Sequence, residues 1–211
     1  MDDIHRHDDL IRRVRERAAK RCPDLPPPVS APELAAAEAA LGLPLHPLLA
    51  RLYREVADGG FGPGYGFFRL GTDKDGGPDR TEGPLTAAYP GPGAVDPADE
   101  DWFWPEGVVP FLTWGCGMLA CVDCRSPEGT VLLFEPNAVG DDWSGAWFLD
   151  ADSLADWLET SLSGGGWYNG PDADDDWSDD DSDDERPAAG ETSAEPRPWG
   201  PEARARAGRP G

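Results

Sequence analysis

Three short apolar runs, each bounded by residues that favour turns, mark the middle of the chain. Val108 to Trp114 and Met118 to Cys124 are split by Gly115-Cys116-Gly117, and Ser126-Pro127-Glu128-Gly129 separates the second run from Val131 to Glu135. Gaps of this size match hairpin connections, so the stretch predicts the centre of an antiparallel sheet. Ala146 to Leu149 reads as a further short strand after a polar connection over 137–145. Helical spacing replaces this pattern on both sides. Upstream, Ile4, Leu10, Ile11, Val14 and Ala18 recur among Arg, Asp and Glu and predict an amphipathic helix over 3–21, ended by Pro23. Downstream, Leu154, Trp157, Leu158 and Leu162 form one apolar stripe behind a cap at Asp152 or Ser153.

Between the first helix and the sheet, Leu25-Pro26-Pro27-Pro28 forms an extended spacer, because proline fixes φ and disfavours helix in the residue before it. Ser30-Ala31-Pro32-Glu33 is a capping-box pattern that starts a second helix, with Leu34, Ala37, Ala40 and Leu41 as its stripe and Gly42 at its end. Pro47 opens a third, in which Leu48, Leu49, Leu52, Tyr53 and Val56 share a face and Gly59-Gly60 stops the helix. The stretch GGFGPGYGFFRLG over 59–71 fits neither G-x-G-x-x-G nor G-x-x-x-x-G-K-[ST], and it follows a helix where phosphate loops follow a strand. It reads as a tight turn into a strand from Tyr65 to Leu70. Residues 72–101, rich in Gly, Pro and Asp, read as a long surface loop. The shift from helical to strand period and back predicts one α+β domain, with N-terminal helices and a C-terminal helix packed on a mainly antiparallel sheet.

Charge changes the picture of what this domain meets. The chain carries 18 Lys and Arg against 41 Asp and Glu, a net charge of −23, and about −16 of it lies within 30–170. A folded part this acidic repels nucleic acid and anionic membrane and favours a basic protein partner. The basic half of the first helix, Arg12 to Arg21, therefore reads as a segment docked on an acidic surface in preference to a nucleic-acid arm. After Pro171 the run DADDDWSDDDSDDE and a Pro, Ala, Gly and Arg mixture bury too little apolar area to offset ordering, so 171–211 reads as a disordered tail. The domain reading is thus a helix and spacer over 1–29, a folded domain over 30–170 and the tail. No apolar run approaches the roughly 20 residues that span a bilayer, and MDDIHRHDDL lacks a secretory apolar core, so the expected location is the cytoplasm.

Candidate chemistry is sparse. Cys116, Cys121 and Cys124 have the spacing of three ligands in a plant-type iron–sulfur loop, but the remaining cysteine, Cys22, lies far upstream of where a fourth is needed. They read as strand residues, with no metal and no cofactor expected. His5, His7 and His46 are the three histidines; His46 reads as a helix-entry residue, and no nucleophile–base pair can be assembled. No catalytic residue is assigned and no enzyme activity is expected. Acidic and aromatic residues meet at the end of the long loop, in Asp99-Glu100-Asp101-Trp102-Phe103-Trp104. Asp99, Glu100, Asp101, Trp102 and Trp104 are the candidate partner contacts, since buried aromatics ringed by charge dominate many interfaces. The competing assignment makes the tryptophans anchors of the loop on the sheet.

Four blocks in a fixed order carry a resemblance: ELAAAEAALGLPLHPLLARLYREVADGGFGPGYGFFRL, VVPFLTWGCGMLACVDC, GTVLLFEPN and SLADWLETSL. In this order the chain resembles the SUKH superfamily, the Smi/Knr-type domain of bacterial immunity proteins and of a fungal cell-wall regulator, over about 30–165. The resemblance implies an α+β fold that binds partners, and a role in neutralising toxins, often nucleases, used in contact-dependent competition. It covers neither the first helix nor the tail. The alternative is a regulatory or scaffolding protein acting through its acidic tail, with a Cys-ligated metal module behind it.

Overall fold

A computed structural model describes residues 7–71, 84–91, 94, 99, 101–140, 142–168 and 195–206. The sheet is antiparallel throughout, in the order β1 (Val108–Gly115), β2 (Met118–Asp123), β3 (Val131–Phe134), β4 (Trp147–Ala151) and β5 (Arg197–Pro198). Its first three strands are those the turn signals delimit. Val108 to Thr113 are buried without interruption, as are all four residues of β3. Successive strand side chains point to opposite faces, so the central strands are covered on both sides.

The helical layer consists of α1 (Asp8–Arg21), α2 (Ala31–Leu41), α3 (Pro47–Glu55) and α5 (Leu154–Leu162), with a single turn, α4 (Leu85–Ala88), in the long loop. The α2 capping box forms as its sequence dictates. Glu33 N donates to Ser30 Oγ while Ser30 N donates to Glu33 Oε2 at 2.7 Å, and Gly42 ends the helix in the left-handed region at φ 75°. His46 caps α3 by position, and its Nε2 lies 3.2 Å from Pro127 O. Helix α1 is part of the same core, since Leu10, Ile11, Val14 and Ala18 are buried against α3 and α5. Its basic face pairs with acids of the domain, Arg13 with Glu159, while Asp8 takes Arg51 of α3 at 2.7 Å. That is the docked placement its charge suggested.

Two expectations are corrected. Tyr65 to Leu70 is not a strand: Phe67 makes one isolated bridge to Leu112, and Phe68 N donates to Phe111 O at 2.8 Å. Gly59, Gly60, Gly62, Gly64 and Gly66 all have positive φ, which curls the backbone before a ladder can extend. Phe67, Phe68 and Leu70 still reach the core, whereas Tyr65 is 74 % exposed. The second correction concerns 195–206, within the segment read as a disordered tail. Here β5 pairs with Phe148 and Leu149 of β4, and α6 (Gly200–Arg206) lies against the short turn Trp143–Ala146. Ala203 is fully buried, so this piece contributes to the core despite its composition. The acidic run after Pro171 and most of 72–98 lie outside the described residues. Of the long loop, Leu85 is buried and its N–H donates to Arg69 O at 2.8 Å, pinning the loop at mid-length.

Candidate partner-binding surface

The segment entering β1 is fixed from below by aromatics. Trp104 is 2 % exposed; its ring stands edge-on to Trp147 at 4.9 Å and tilted to Phe134 at 5.2 Å, and its Nε1 donates to Val108 O at 2.7 Å. Trp104 is therefore an anchor, and burial keeps it from any partner while the domain is folded. Phe103 is buried as well. Trp102 is half-buried, tilted against Trp104 at 6.2 Å.

Asp99 holds the segment from the other end. Its Oδ2 accepts from Trp143 Nε1 at 2.7 Å, its Oδ1 accepts from Asp101 N at 3.1 Å, and its carbonyl accepts from Trp102 N at 3.1 Å. With both carboxylate oxygens engaged, Asp99 shapes the turn that presents its neighbours. Asp101 is exposed on that turn, and Glu100 lies outside the described residues. The four described candidates thus divide into anchors, Trp104 and Asp99, and outward groups, Asp101 and the accessible part of Trp102. Trp143, which stacks on Phe134 at 6.3 Å and 13°, completes the patch. It stands 44 positions from Asp99, and no local pattern in the sequence links the two.

Next to Trp143, Asp142 Oδ1 accepts from Ser144 N at 2.7 Å. Bonds from Ser144, and then the nearby Arg204 guanidinium, hold its carboxyl below the usual range. The cysteines are dispersed by role. Cys121 is buried in β2, Cys124 accepts from His46 N at 3.3 Å, and Cys116 is exposed at the hairpin tip with φ 53°. Burial pushes the Cys124 thiol up to about 12 and that of Cys121 well above its ordinary value, which disfavours the thiolate needed for nucleophilic or ligand chemistry. Among the described residues no three His, Cys, Asp or Glu side chains are grouped to hold a metal ion, and no helix is long and apolar enough to cross a membrane.

Outside this patch, Asp150 is a carboxyl whose pKa is displaced by burial. It sits where β4 slips register between Leu149 and Ala151, and its two oxygens accept from Trp157 Nε1 and Trp167 Nε1, both at 2.9 Å. Burial raises its pKa against the opposing effect of the two indoles, while the unfolded chain titrates near 3.8. A raised carboxyl pKa favours the folded state while the group is protonated; that contribution is complete below about pH 3.8 and is lost as pH rises through the folded value. Asp150→Asn should remove this dependence. In urea titrations at a series of pH values, the stability difference should shift in the variant's favour as pH rises, and a constant difference would contradict the assignment.

The arrangement offers hydrogen-bonded anchors and outward acidic and aromatic groups, which is the chemistry of recognition. The family model described as SMI1 / KNR4 family (SUKH-1) matches residues 28–160, from just before α2 to the last turns of α5. A search of curated proteins found no match.

Proposed function

Because the chain belongs to the SMI1 / KNR4 family (SUKH-1), we propose that it is a non-catalytic protein-binding module, an immunity protein that neutralises a basic, nuclease-type toxin by direct binding in the cytoplasm. The observation that carries this reading is the charge of the folded domain itself, about −16 within 30–170. A nuclease must present cations to grip phosphate, and an acidic surface that covers those cations competes with its substrate. The Asp101 and Trp102 turn supports the reading by placing an exposed carboxylate beside an aromatic on a segment clamped by Trp104 and Asp99. A pre-shaped segment loses little freedom on binding.

The test is a binding titration of the full chain against a purified nuclease-type toxin domain at several salt concentrations. Affinity should fall as salt rises, because the Debye length contracts from about 10 Å at 0.1 M to about 3 Å at 1 M. Asp101→Asn should slow association by roughly three- to tenfold, with a smaller effect on dissociation. Binding that ignores both salt and Asp101 would remove the electrostatic basis of the reading.

A further inference from the structure

The β4 edge is occupied by this chain's own residues 197–206, and the way they are held describes a ligand. Main-chain pairing comes first: Phe148 and Leu149 pair with Pro198 and Arg197, and Trp199 N donates to Trp147 O at 2.8 Å. Apolar seating follows, with Ala203 fully buried and Trp199 half-buried against the core. Gly200 sits so close to the Trp143–Ala146 turn that a Cβ there would lie 2.8 Å from Ser144 O. Three arginines of the segment meet aspartates of the domain: Arg197 with Asp152 at 3.3 Å, Arg204 with Asp142, and Arg206 with Asp123 at the end of β2 at 2.8 Å.

These pairs differ in weight. Arg197 and Asp152 are largely exposed, and such a pair contributes little. Asp123 is only 2 % exposed, and among the described residues Arg206 is the cation on it. Asp123 also accepts from Arg125 N at 3.0 Å, and its burial favours a covering segment that brings a guanidinium or ammonium to the remaining oxygen. An extended segment that adds to a sheet edge while side chains supply selectivity is a recurring mode of peptide recognition.

We propose that the β4 edge, with Asp142 beside it and Asp123 of β2, is a docking site for an arginine-bearing segment of a protein partner that adds one short strand and then turns into a helix, and that residues 197–206 occupy it as a displaceable internal stand-in. The proposal deepens the reading of a basic partner and rests on it for the partner's charge; the site itself is defined by the chain's own segment. β5 is two residues long and both are exposed, so the ladder that closes the edge is short. Tethering holds the segment at an effective concentration on the order of millimolar, which allows a contact that is weak in itself to stay closed until a stronger segment competes.

The probe is a fluorescently labelled peptide of residues 195–206, added to the full chain and to full-length Ala203→Glu, which places a charge in a fully buried seat and releases the internal segment. Fluorescence anisotropy should show the peptide binding Ala203→Glu at least about tenfold tighter than the unaltered chain. Adding Asp142→Asn should weaken that binding. A peptide that binds neither protein, or a scrambled peptide that binds equally well, overturns the proposal. Hydrogen exchange on the unaltered chain provides the check that needs no variant. The Trp199 and Ala203 amides should exchange at least about a hundredfold faster than that of Val122 in β2, because the segment opens locally. Equal protection would mean that it leaves only when the whole domain unfolds, and would overturn the proposal. Neither arm uses a toxin, so failure of the immunity reading and failure of this one are distinguishable.

Discussion

Trp104→Ala should lower the stability of the fold by about 3–5 kcal/mol, the range for truncating a large buried aromatic. Three losses combine. The indole fills the space between Trp147 and Phe134, so its removal leaves a cavity that two rigid rings can close only partly. Edge-on contact with Trp147 is lost beyond its area term, and Val108 O is left in a buried place without its indole donor. Urea unfolding followed by far-ultraviolet circular dichroism measures the effect. A loss under about 1 kcal/mol would show that Trp104 is not the anchor described. Trp102→Ala removes a half-buried ring and should cost less, so the pair of variants separates anchoring from presentation.

Gly59→Ala should be comparably damaging, at roughly 2–5 kcal/mol, although it adds a single methyl group. Gly59 has φ 72°, where an L side chain is strained. Its added Cβ would lie 2.5 Å from Phe68 O, 2.6 Å from Phe68 C and 2.7 Å from Phe67 O. All three are backbone atoms, and Phe68 N is tied to Phe111 O of β1, so no side-chain rotation can relieve the contact. Gly42→Ala provides the contrast: φ is similar at 75°, but nothing lies within 4 Å of the added Cβ. Thermal unfolding of both should show the larger loss at Gly59. Equal losses would mean that backbone strain alone, and not the close approach of the Phe67–Phe68 backbone, sets the cost.

The helices and the first three strands were legible because their signals are local. Ser30 and Glu33 cap α2 within one turn, and glycine or proline marks each hairpin gap in the central sheet. Tyr65 to Leu70 has strand-like composition, but the run of positive-φ glycines before it settles its backbone first. Tertiary contacts decide the end of the tail. Pro, Ala, Gly and Arg over 195–206 predict no order alone, and the segment is held by β4, by the burial of Ala203 and by Arg206 on Asp123. The same limit applies to the site. An acidic and aromatic turn was visible at 99–104, yet only the fold shows Trp104 turned inward, Asp99 tied to Trp143 and Asp101 outward. Trp114, which closes the first apolar run, is only half-buried, with its ring 4.3 Å from that of Tyr168.

Protection of living cells addresses the central claim most directly, that the folded domain is the partner-binding unit. The full chain and a full-length form carrying Asp101→Lys would each be co-expressed with a nuclease-type toxin domain, with survival and co-purification as readouts. The full chain should protect and co-purify, and Asp101→Lys should weaken both by reversing a charge on the outward turn. Survival that does not depend on the full chain, or protection without a complex, would contradict the account.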